Sequence, residues 1–473
     1  MKLIIMFACY VLLASSGLIL FKLGSANSNL TLSIFGLKIN YSIKMILGLL
    51  CYGCSFILWM LIVSKSNLTI AMPLSVALVN TLVIIESCLI LKEKITLTNF
   101  LSSILSYTTK KYPSKNKMAL KVQDLYSPKI FPSCYRVGNF YNLDFNVHML
   151  DEKYSEKGML EETFQLLSDI IFDPNVDYDS FDKVSFDVVK NNEKSQIERL
   201  KEDPRKYSII KMLEVMDSDK PYSYCEYGYM EDLEKITPSN LYTFYKEFMN
   251  KSVIDVFVLG NISFDEITKI VKEKLKFRIF RNNDDSPILE PKKARGKVQV
   301  FKEPDNTTQA KLSIGCTIDK MKKFEREYVL NLYNLILGAT ADSKFFKNIR
   351  EKYSLCYYVS SIGNKLDNLF IITSGITKEN LDKMLILINK EMADMVNGNF
   401  TDIDIENAKK YYLSILEEAL DRPNQIISSY YAVDLWGIDK IEKRREEIMK
   451  FAKKVHMDTV FLLGGDKNEK ENA

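Results

Sequence analysis

The chain has 473 residues, with 64 lysines and arginines against 61 aspartates and glutamates, and its formal net charge is +3. This balance provides no general field that would attract a phosphate backbone, so we exclude a nucleic-acid-binding protein. Apolar and aromatic residues run through the polar part, which excludes a disordered chain, and the eight cysteines lack the dense spacing of a disulfide scaffold, so we expect reduced thiols.

Charged residues are distributed unevenly, because the first hundred residues contain only seven lysines and two glutamates. Leu3–Phe21 and Met45–Val63 carry no formal charge, and Leu68–Leu91 contains only Glu86. Each of these segments is long enough to cross a hydrocarbon core of about 30 Å as a helix. The sequence therefore predicts three transmembrane helices.

The lysines that flank these segments predict their orientation. Most of them lie in the loop over 22–44 or soon after residue 91, whereas the other side of the bilayer would hold only Lys2 and Lys65. Basic residues favour the cytoplasmic side of a membrane. We therefore expect a multi-pass protein of the cell (inner) membrane, with its large polar region in the cytoplasm.

Three short motifs accompany the predicted spans: Phe21-Lys22-Leu23-Gly24, Ala71-Met72-Pro73-Leu74-Ser75 and Leu91-Lys92-Glu93-Lys94-Ile95-Thr96-Leu97. With them, the first 98 residues or so resemble the drug/metabolite transporter superfamily, in particular small multidrug-resistance or EamA-like proteins. The resemblance implies a fourth span directly afterwards, and the chain has none there. It therefore implies a truncated transporter-like part.

Beyond Pro113 the hydrophobic pattern is that of an α+β protein. Helical spacing occurs over 160–171 and 381–395, and Ser263-x-x-Glu266 and Thr401-x-x-Asp404 are capping-box helix starts. Four runs bounded by turn residues predict strands, namely Val253–Gly260, Ala310–Ile318, Leu355–Ser361 and Leu369–Ser374.

The stretch Arg281–Gly296 is rich in Asn, Asp and Pro and predicts a domain boundary. The predicted organisation is a three-span membrane domain over 1–98, a first lobe over 99–280, a linker over 281–296, a second lobe over 297–465 and a polar tail over 466–473.

Few residues in the polar part point to catalysis. His148 and His456 each lack neighbours at metal-ligand spacing, and the chain has neither a Walker loop nor a G-x-S-x-G motif. The small residues over 338–343 suit a helix stop better than a phosphate-binding loop.

Three motifs occur in order along the polar part: Thr109-Lys110-Lys111-Tyr112-Pro113, Val258-Leu259-Gly260-Asn261-Ile262-Ser263, and Gly338-x4-Ser343-Lys344-Phe345-Phe346-x3-Arg350-Glu351-Lys352-x2-Leu355-Cys356-Tyr357. With them, residues 100–465 resemble the insulinase/pitrilysin metallopeptidase family, most of all its catalytically silent bacterial branch that works beside an active homologue. The resemblance implies two lobes, each an antiparallel sheet flanked by helices, with the first lobe truncated at its start.

Active members of that family carry the motif H-x-x-E-H in a segment that ends with T-K-K-Y-P. Here the resemblance places Asn99 and Ser103 at the two histidines, Ser102 at the glutamate, and Gln196 near the third ligand, a glutamate. Zinc prefers imidazole, thiolate or carboxylate ligands, and hydrolysis needs a group that accepts a proton from water. We therefore expect no catalytic residue, no metal and no cofactor in this chain.

The second lobe keeps more of the family pattern. The resemblance implies that Arg350 and Tyr357 bind a substrate peptide, because a guanidinium and a phenol both donate hydrogen bonds to carbonyl groups. The alternative is that Arg350 pairs with a neighbouring acid and that Tyr357 is a core strand residue.

The two resemblances meet near residues 98–103, where both modules are incomplete. Three functions stay open: a membrane-tethered non-catalytic peptidase homologue, a small-molecule transporter with an appended domain, and a rearranged gene fusion without function. The first implies an active insulinase-type zinc peptidase as partner in a heterodimer, or self-association, together with a peptide ligand and the lipid bilayer.

Overall fold

The computed structural model describes residues 2–25, 30–34, 37–41, 43–64, 94–275, 288–305, 309–427 and 445–464. The chain divides into two compact units, Met1–Lys94 and Ile95–Ala473. Both predicted lobes lie in the second unit.

The described part of the first unit contains two helices and, between them, a two-stranded antiparallel pair. Tyr10 stacks on Trp59 with 5.1 Å between ring centroids, and a Cβ on Gly17 would lie 3.1 Å from the carbonyl oxygen of Gly48. The helices therefore cross closely at Gly17, where a larger residue would separate them. The elements are helix α1 (Lys2–Ser25), strands β1 (Leu30–Ile34) and β2 (Leu37–Tyr41), and helix α2 (Ile43–Val63).

One helix in the described residues is long and apolar enough to cross a membrane, and it spans Ile46–Val63. Among the described side chains of α1, the apolar stretch is Met6–Gly17, which is shorter than a membrane span, and the third predicted span, Leu68–Leu91, lies outside the described residues. Three transmembrane helices are therefore not supported. A single apolar helix of this length also occurs in signal sequences and in the cores of soluble proteins.

The second unit begins with a helical region that contains two antiparallel strand pairs, the long β3–β4 and the two-residue β5–β6. Ser263 caps its last helix as predicted, since its Oγ accepts a hydrogen bond from the backbone N–H of Glu266. In chain order the elements are α3 (94–105), α4 (Lys115–Asp124), β3 (Lys129–Val137), β4 (Phe140–His148), α5 (Met159–Phe172), β5 (Val176–Asp177), β6 (Ser180–Phe181), α6 (Lys183–Arg199), α7 (Pro204–Met216), α8 (Met230–Lys235), α9 (Pro238–Lys251) and α10 (Phe264–Lys274).

The strand predicted at Val253–Gly260 is wrong, because these residues form no strand in the structure. Their β-branched and apolar side chains favour extended backbone, but a strand also needs a hydrogen-bonded neighbour. None of the described strands is paired with this segment.

The rest of the unit is a five-stranded sheet with helices, which confirms the mixed α+β class. The strand order is β7-β11-β8-β10-β9, in which β11 and β7 are parallel and the other neighbours antiparallel. The strands are β7 (Gln299–Glu303), β8 (Ala310–Ile318), β9 (Cys356–Asn364), β10 (Leu369–Ile376) and β11 (Val455–Leu463). The three strands predicted from 310, 355 and 369 onward are thereby confirmed.

Helices cover one face of this sheet and enclose the main hydrophobic core. The small-residue turn ends α11 at Ala339, as predicted, and Thr401 and Asp404 form a capping box at the start of α13. The helices are α11, a continuous stretch of π-helical Glu325–Val329, α-helical Leu330–Asn334 and π-helical Leu335–Ala339, then a π-helical segment Phe345–Glu351, α12 (Leu381–Asn397), α13 (Asp402–Leu420) and α14 (Arg445–Ala452).

The other face of the sheet is covered by α7, which precedes the sheet in the chain by more than eighty residues. The hydroxyls of Ser208 and Ser313 lie 2.7 Å apart. A Cβ on Gly315 would lie 2.6 Å from the sulfur atoms of both Met212 and Met216. Glycine in β8 therefore allows this helix to pack directly on the strand.

Candidate functional site

The residues that stand at the degenerate H-x-x-E-H motif lie on one face of α3. The Asn99 side-chain amide donates to the carbonyl oxygen of Glu226 over 2.7 Å, and its oxygen accepts from the hydroxyl of Tyr141 over 2.7 Å. The Ser102 hydroxyl donates to the backbone carbonyl of Asn99 over 2.8 Å. The amide of Asn99 is therefore used in the protein's own hydrogen bonds.

Ser103 faces a buried carboxylate on α6. Its hydroxyl donates to Oε1 of Glu193 over 2.6 Å, and Glu193 is only 5% exposed. Gln196 is exposed, so the placement of the third ligand position near Gln196 is wrong. The carboxylate that faces the motif is Glu193, three residues earlier, and its residue type was the signal that could have identified it.

Burial raises the pKa of Glu193 and of the titratable groups around it. Desolvation raises the pKa of Glu193, and the hydrogen bond from Ser103 opposes that rise. Desolvation also raises the pKa of the Cys134 thiol to about 12 and that of the Tyr141 phenol above its ordinary value. Cys134, on β3, is therefore a neutral thiol at physiological pH and not a nucleophile.

The donor set does not fit the zinc ion that active members of the family use. It offers one carboxylate, two hydroxyls and an amide that is already hydrogen-bonded, whereas zinc sites are built from imidazole, thiolate and carboxylate. Within the described ranges no group of three or more His, Cys, Asp or Glu side chains could hold a metal ion.

The two histidines lie apart from this site in the sequence and make local contacts. His148 ends β4 and stacks on Phe131, with 5.6 Å between ring centroids. His456 is the second residue of β11, and its Nε2 lies 3.1 Å from Oδ2 of Asp319. Neither histidine belongs to a metal-binding group among the residues that the structure describes.

Tyr357 lies on β9, the strand at one edge of the sheet. Tyr358 is opposite Gly375 and Cys356 is opposite Ile376, so Tyr357 is the extra residue of a β-bulge. Its side chain is 77% exposed. The alternative that Tyr357 is a core strand residue is therefore wrong, and its phenol is open to solvent.

Arg350 lies in the π-helical segment just before β9. Its guanidinium carbon is 4.5 Å from the ring centroid of Phe346, and its Nε is 3.9 Å from Oε1 of Glu351. The side chain is 41% exposed, and an ion pair that long and that exposed contributes little stability. The guanidinium therefore keeps donors available to a ligand.

Known proteins match much of this chain, and the matched family model includes Arg350 and Tyr357. The family model described as "Peptidase M16 inactive domain" matches residues 235–412. The chain is 25% identical over 392 residues to the "Probable inactive metalloprotease YmfF" of Bacillus subtilis, which covers 79% of this chain and 90% of that one. It is 24% identical over 223 residues to an uncharacterized zinc protease of Mycobacterium leprae, covering 46% of each.

Solved structures share the fold. A conserved protein from Enterococcus faecalis superposes with a TM-score of 0.74 at 23% identity, over 80% of this chain and 92% of that one. The peptidase M16 inactive domain from Pseudomonas fluorescens superposes with a TM-score of 0.60 at 16% identity, over 78% and 89%.

None of these matches concerns a transporter, so the transporter resemblance of residues 1–98 stays a prediction. The metallopeptidase resemblance is supported for the carboxyl-terminal region, which contains the residues matched by the family model. The carboxyl-terminal region of this chain is an insulinase-like homologue of the M16 peptidases, of the inactive metalloprotease type.

Proposed function

We propose that this chain is a membrane-tethered, non-catalytic peptidase homologue that binds peptides as the partner subunit of an active zinc peptidase. The observation that carries the proposal is the hydrogen bond between Ser103 and Glu193. A hydroxyl occupies the position where the family has a metal-binding imidazole, so the remaining carboxylate is satisfied inside the protein. The fold is retained while the hydrolytic chemistry is lost.

Arg350 and Tyr357 are the residues to which we assign peptide binding. The bulge in β9 turns the phenol of Tyr357 outward, and the guanidinium of Arg350 is held by Phe346 with its donors partly exposed. Both groups can donate to peptide carbonyl oxygens. Their role is to position a peptide for the metal centre of the partner, which is a contribution of orientation and not of bond chemistry.

The experiment is to co-express the full chain with an H-x-x-E-H homologue from the same cell, purify the complex in detergent and measure peptide affinity. Loss of one uncharged hydrogen bond costs about 0.5–1.5 kcal/mol, and about 1.5–3 kcal/mol when a charged group takes part. We expect Tyr357→Phe to weaken binding by about tenfold or less, and Arg350→Ala to weaken it further.

Two variants serve as matched controls. Tyr353→Phe changes another exposed tyrosine nearby, and Arg422→Ala removes an exposed guanidinium at the end of α13. Both should leave peptide affinity unchanged. If no complex forms, the partner role fails. If a complex forms and the Arg350 and Tyr357 variants bind like the controls, the assignment of peptide binding to these two residues fails.

The tether and its orientation require a separate test. We propose that the large polar region faces the cytoplasm because, in the three-span arrangement that the sequence predicts, most lysines near the apolar segments lie on its side. Protease added to intact right-side-out vesicles should then leave the region after residue 112 uncut until detergent opens the membrane. Digestion from outside would contradict the orientation, and recovery of the chain in the soluble fraction would contradict the tether.

A further inference from the structure

Two cations and one aromatic ring form a cluster on the five-stranded sheet. Across the strands β8, β10 and β9, Lys311 is opposite Gly375, and Gly375 is opposite Tyr358. Lys311 is two residues before Ser313 in β8, so it shares the face of the sheet on which α7 packs. The Lys311 Nζ is 5.8 Å from the ring centroid of Tyr358, and the guanidinium carbon of Arg205, in the first turn of α7, is 4.7 Å from it. Two positive charges therefore lie against one ring.

Arg205 is held in place and still has donors to offer. Its Nη2 donates to the hydroxyl of Ser360 over 2.9 Å and to that of Thr373 over 3.3 Å. Its Nε and Nη1 make no hydrogen bond to any residue that the structure describes, and Arg205 is exposed. A guanidinium that two hydroxyls and a ring already orient loses little side-chain freedom when it binds an anion.

The positive charge of this cluster is not neutralised within the described part of the chain, where neither Arg205 nor Lys311 forms an ion pair. The Lys311 Nζ donates to Oε1 of Gln309 over 2.7 Å. Burial and the charge of Arg205 lower the pKa of Lys311, and the charge of Asp203 opposes that change. Asp203 caps α7, because its Oδ1 accepts from the backbone N–H of Lys206 over 3.0 Å. An anion at Arg205 would relieve the repulsion between the two cations.

We propose that Arg205 binds a carboxylate group of the peptide, with Lys311 as a second cation beside it. This inference rests on the proposed function, because Tyr357, to which we assign peptide binding, precedes Tyr358 directly in β9. A carboxylate is the anion that peptides carry, at the carboxyl terminus or on acidic side chains. Hydrogen bonds between a guanidinium and a carboxylate are charge-assisted and are stronger than those between neutral groups.

The first test needs no peptide. Arginines of the detergent-solubilised full chain are modified with phenylglyoxal and identified by mass spectrometry. N-acetylglycine, which carries the carboxylate of a peptide terminus, should protect Arg205, whereas N-acetylglycine amide at the same ionic strength should not. Arg199, at the end of α6, is the matched control, since it is also exposed and has no ring contact among the described residues, and neither compound should protect it. Equal protection by both compounds, protection by neither, or protection by inorganic phosphate alone overturns the proposal.

The second test measures the affinity of the full chain for three peptides: one with a free carboxyl terminus and no acidic residue, its amidated form, and the amidated form with one internal glutamate. We expect the amidated peptide without glutamate to bind about tenfold more weakly than at least one of the other two, which identifies the source of the carboxylate.

Arg205→Gln should abolish this difference, Lys311→Gln should reduce it, and Arg199→Gln should preserve it. A change that only disturbed the fold would weaken all three peptides alike, and that result overturns the proposal. If the three peptides bind the parent chain equally, the carboxylate site fails and the proposed function survives. If N-acetylglycine protects Arg205 but no peptide binds, peptide binding fails, and a peptide carboxylate is not the ligand.

Discussion

The guanidinium of Arg136, on β3, forms two hydrogen bonds of 2.6 and 2.5 Å with the carboxylate of Asp367, just before β10. Asp367 is 1% exposed and Arg136 is 21% exposed at their side chains. The same arginine donates to the carbonyl of Gly138 over 2.7 Å. This paired contact joins the first hairpin of the unit to its five-stranded sheet.

Arg136→Ala should lower the free energy of unfolding by about 3 kcal/mol, because it leaves a carboxylate buried without its cation. Urea unfolding followed by circular dichroism measures this. Removing the exposed pair Lys194–Glu198, whose atoms are 4.0 Å apart, is the control and should change stability by less than about 1 kcal/mol. Equal effects of the two changes would contradict a structural role for the Arg136–Asp367 pair.

Restoring the motif should create a metal site. We expect the triple variant Asn99→His, Ser102→Glu and Ser103→His to bind zinc with one-to-one stoichiometry, because Glu193 already faces that position. Metal analysis after dialysis measures it. Adding Glu193→Ala should abolish binding, whereas adding Gln196→Ala should have no effect. If Gln196→Ala abolished zinc binding and Glu193→Ala had no effect, the sequence-based assignment of the third ligand position to Gln196 would be correct.

Glu193 should make the protein less stable as pH rises through the titration range of this buried carboxyl. Burial raises its pKa above the ordinary value of 4.5, so the folded state holds the proton more tightly than the unfolded state. Stability is then lost between the ordinary and the raised pKa values. Glu193→Gln should remove this loss. The free energy of unfolding of the variant, relative to that of the parent chain, should therefore be higher at pH 7 than at pH 4. Parallel pH profiles of unfolding for both proteins would contradict the prediction.

Gly315→Ala should destabilise the second unit by about 1–3 kcal/mol, because the new methyl group would overlap two methionine sulfur atoms between α7 and β8. Thermal unfolding measures the change. Gly296→Ala is the control, since a Cβ there would meet no atom within 4 Å. A Gly315→Ala protein as stable as the control would mean that α7 is not closely packed on the strand.

Local chemistry could be predicted from the sequence, and contacts between distant segments could not. The Thr401 hydroxyl accepts a hydrogen bond from the backbone N–H of Asp404, and the Asp404 carboxylate accepts one from the backbone N–H of Thr401. A four-residue pattern was therefore sufficient to locate that helix start. Glu193 contacts Ser103 although the two residues are ninety positions apart in the sequence. The sequence alone does not show this contact, and an error of three positions pointed to Gln196 instead. The failure at 253–260 has the same cause, since a strand depends on a neighbour elsewhere in the chain.

The packing of α7 on the sheet has a consequence for how the gene could be divided. A break in the chain between residues 275 and 288 would separate the helix from every strand that it covers. Neither polypeptide alone could cover both faces of the sheet, and the second would expose Leu369, Ile371 and Phe461 to water. Produced together, the two polypeptides would assemble by complementation, as two halves of one folded protein.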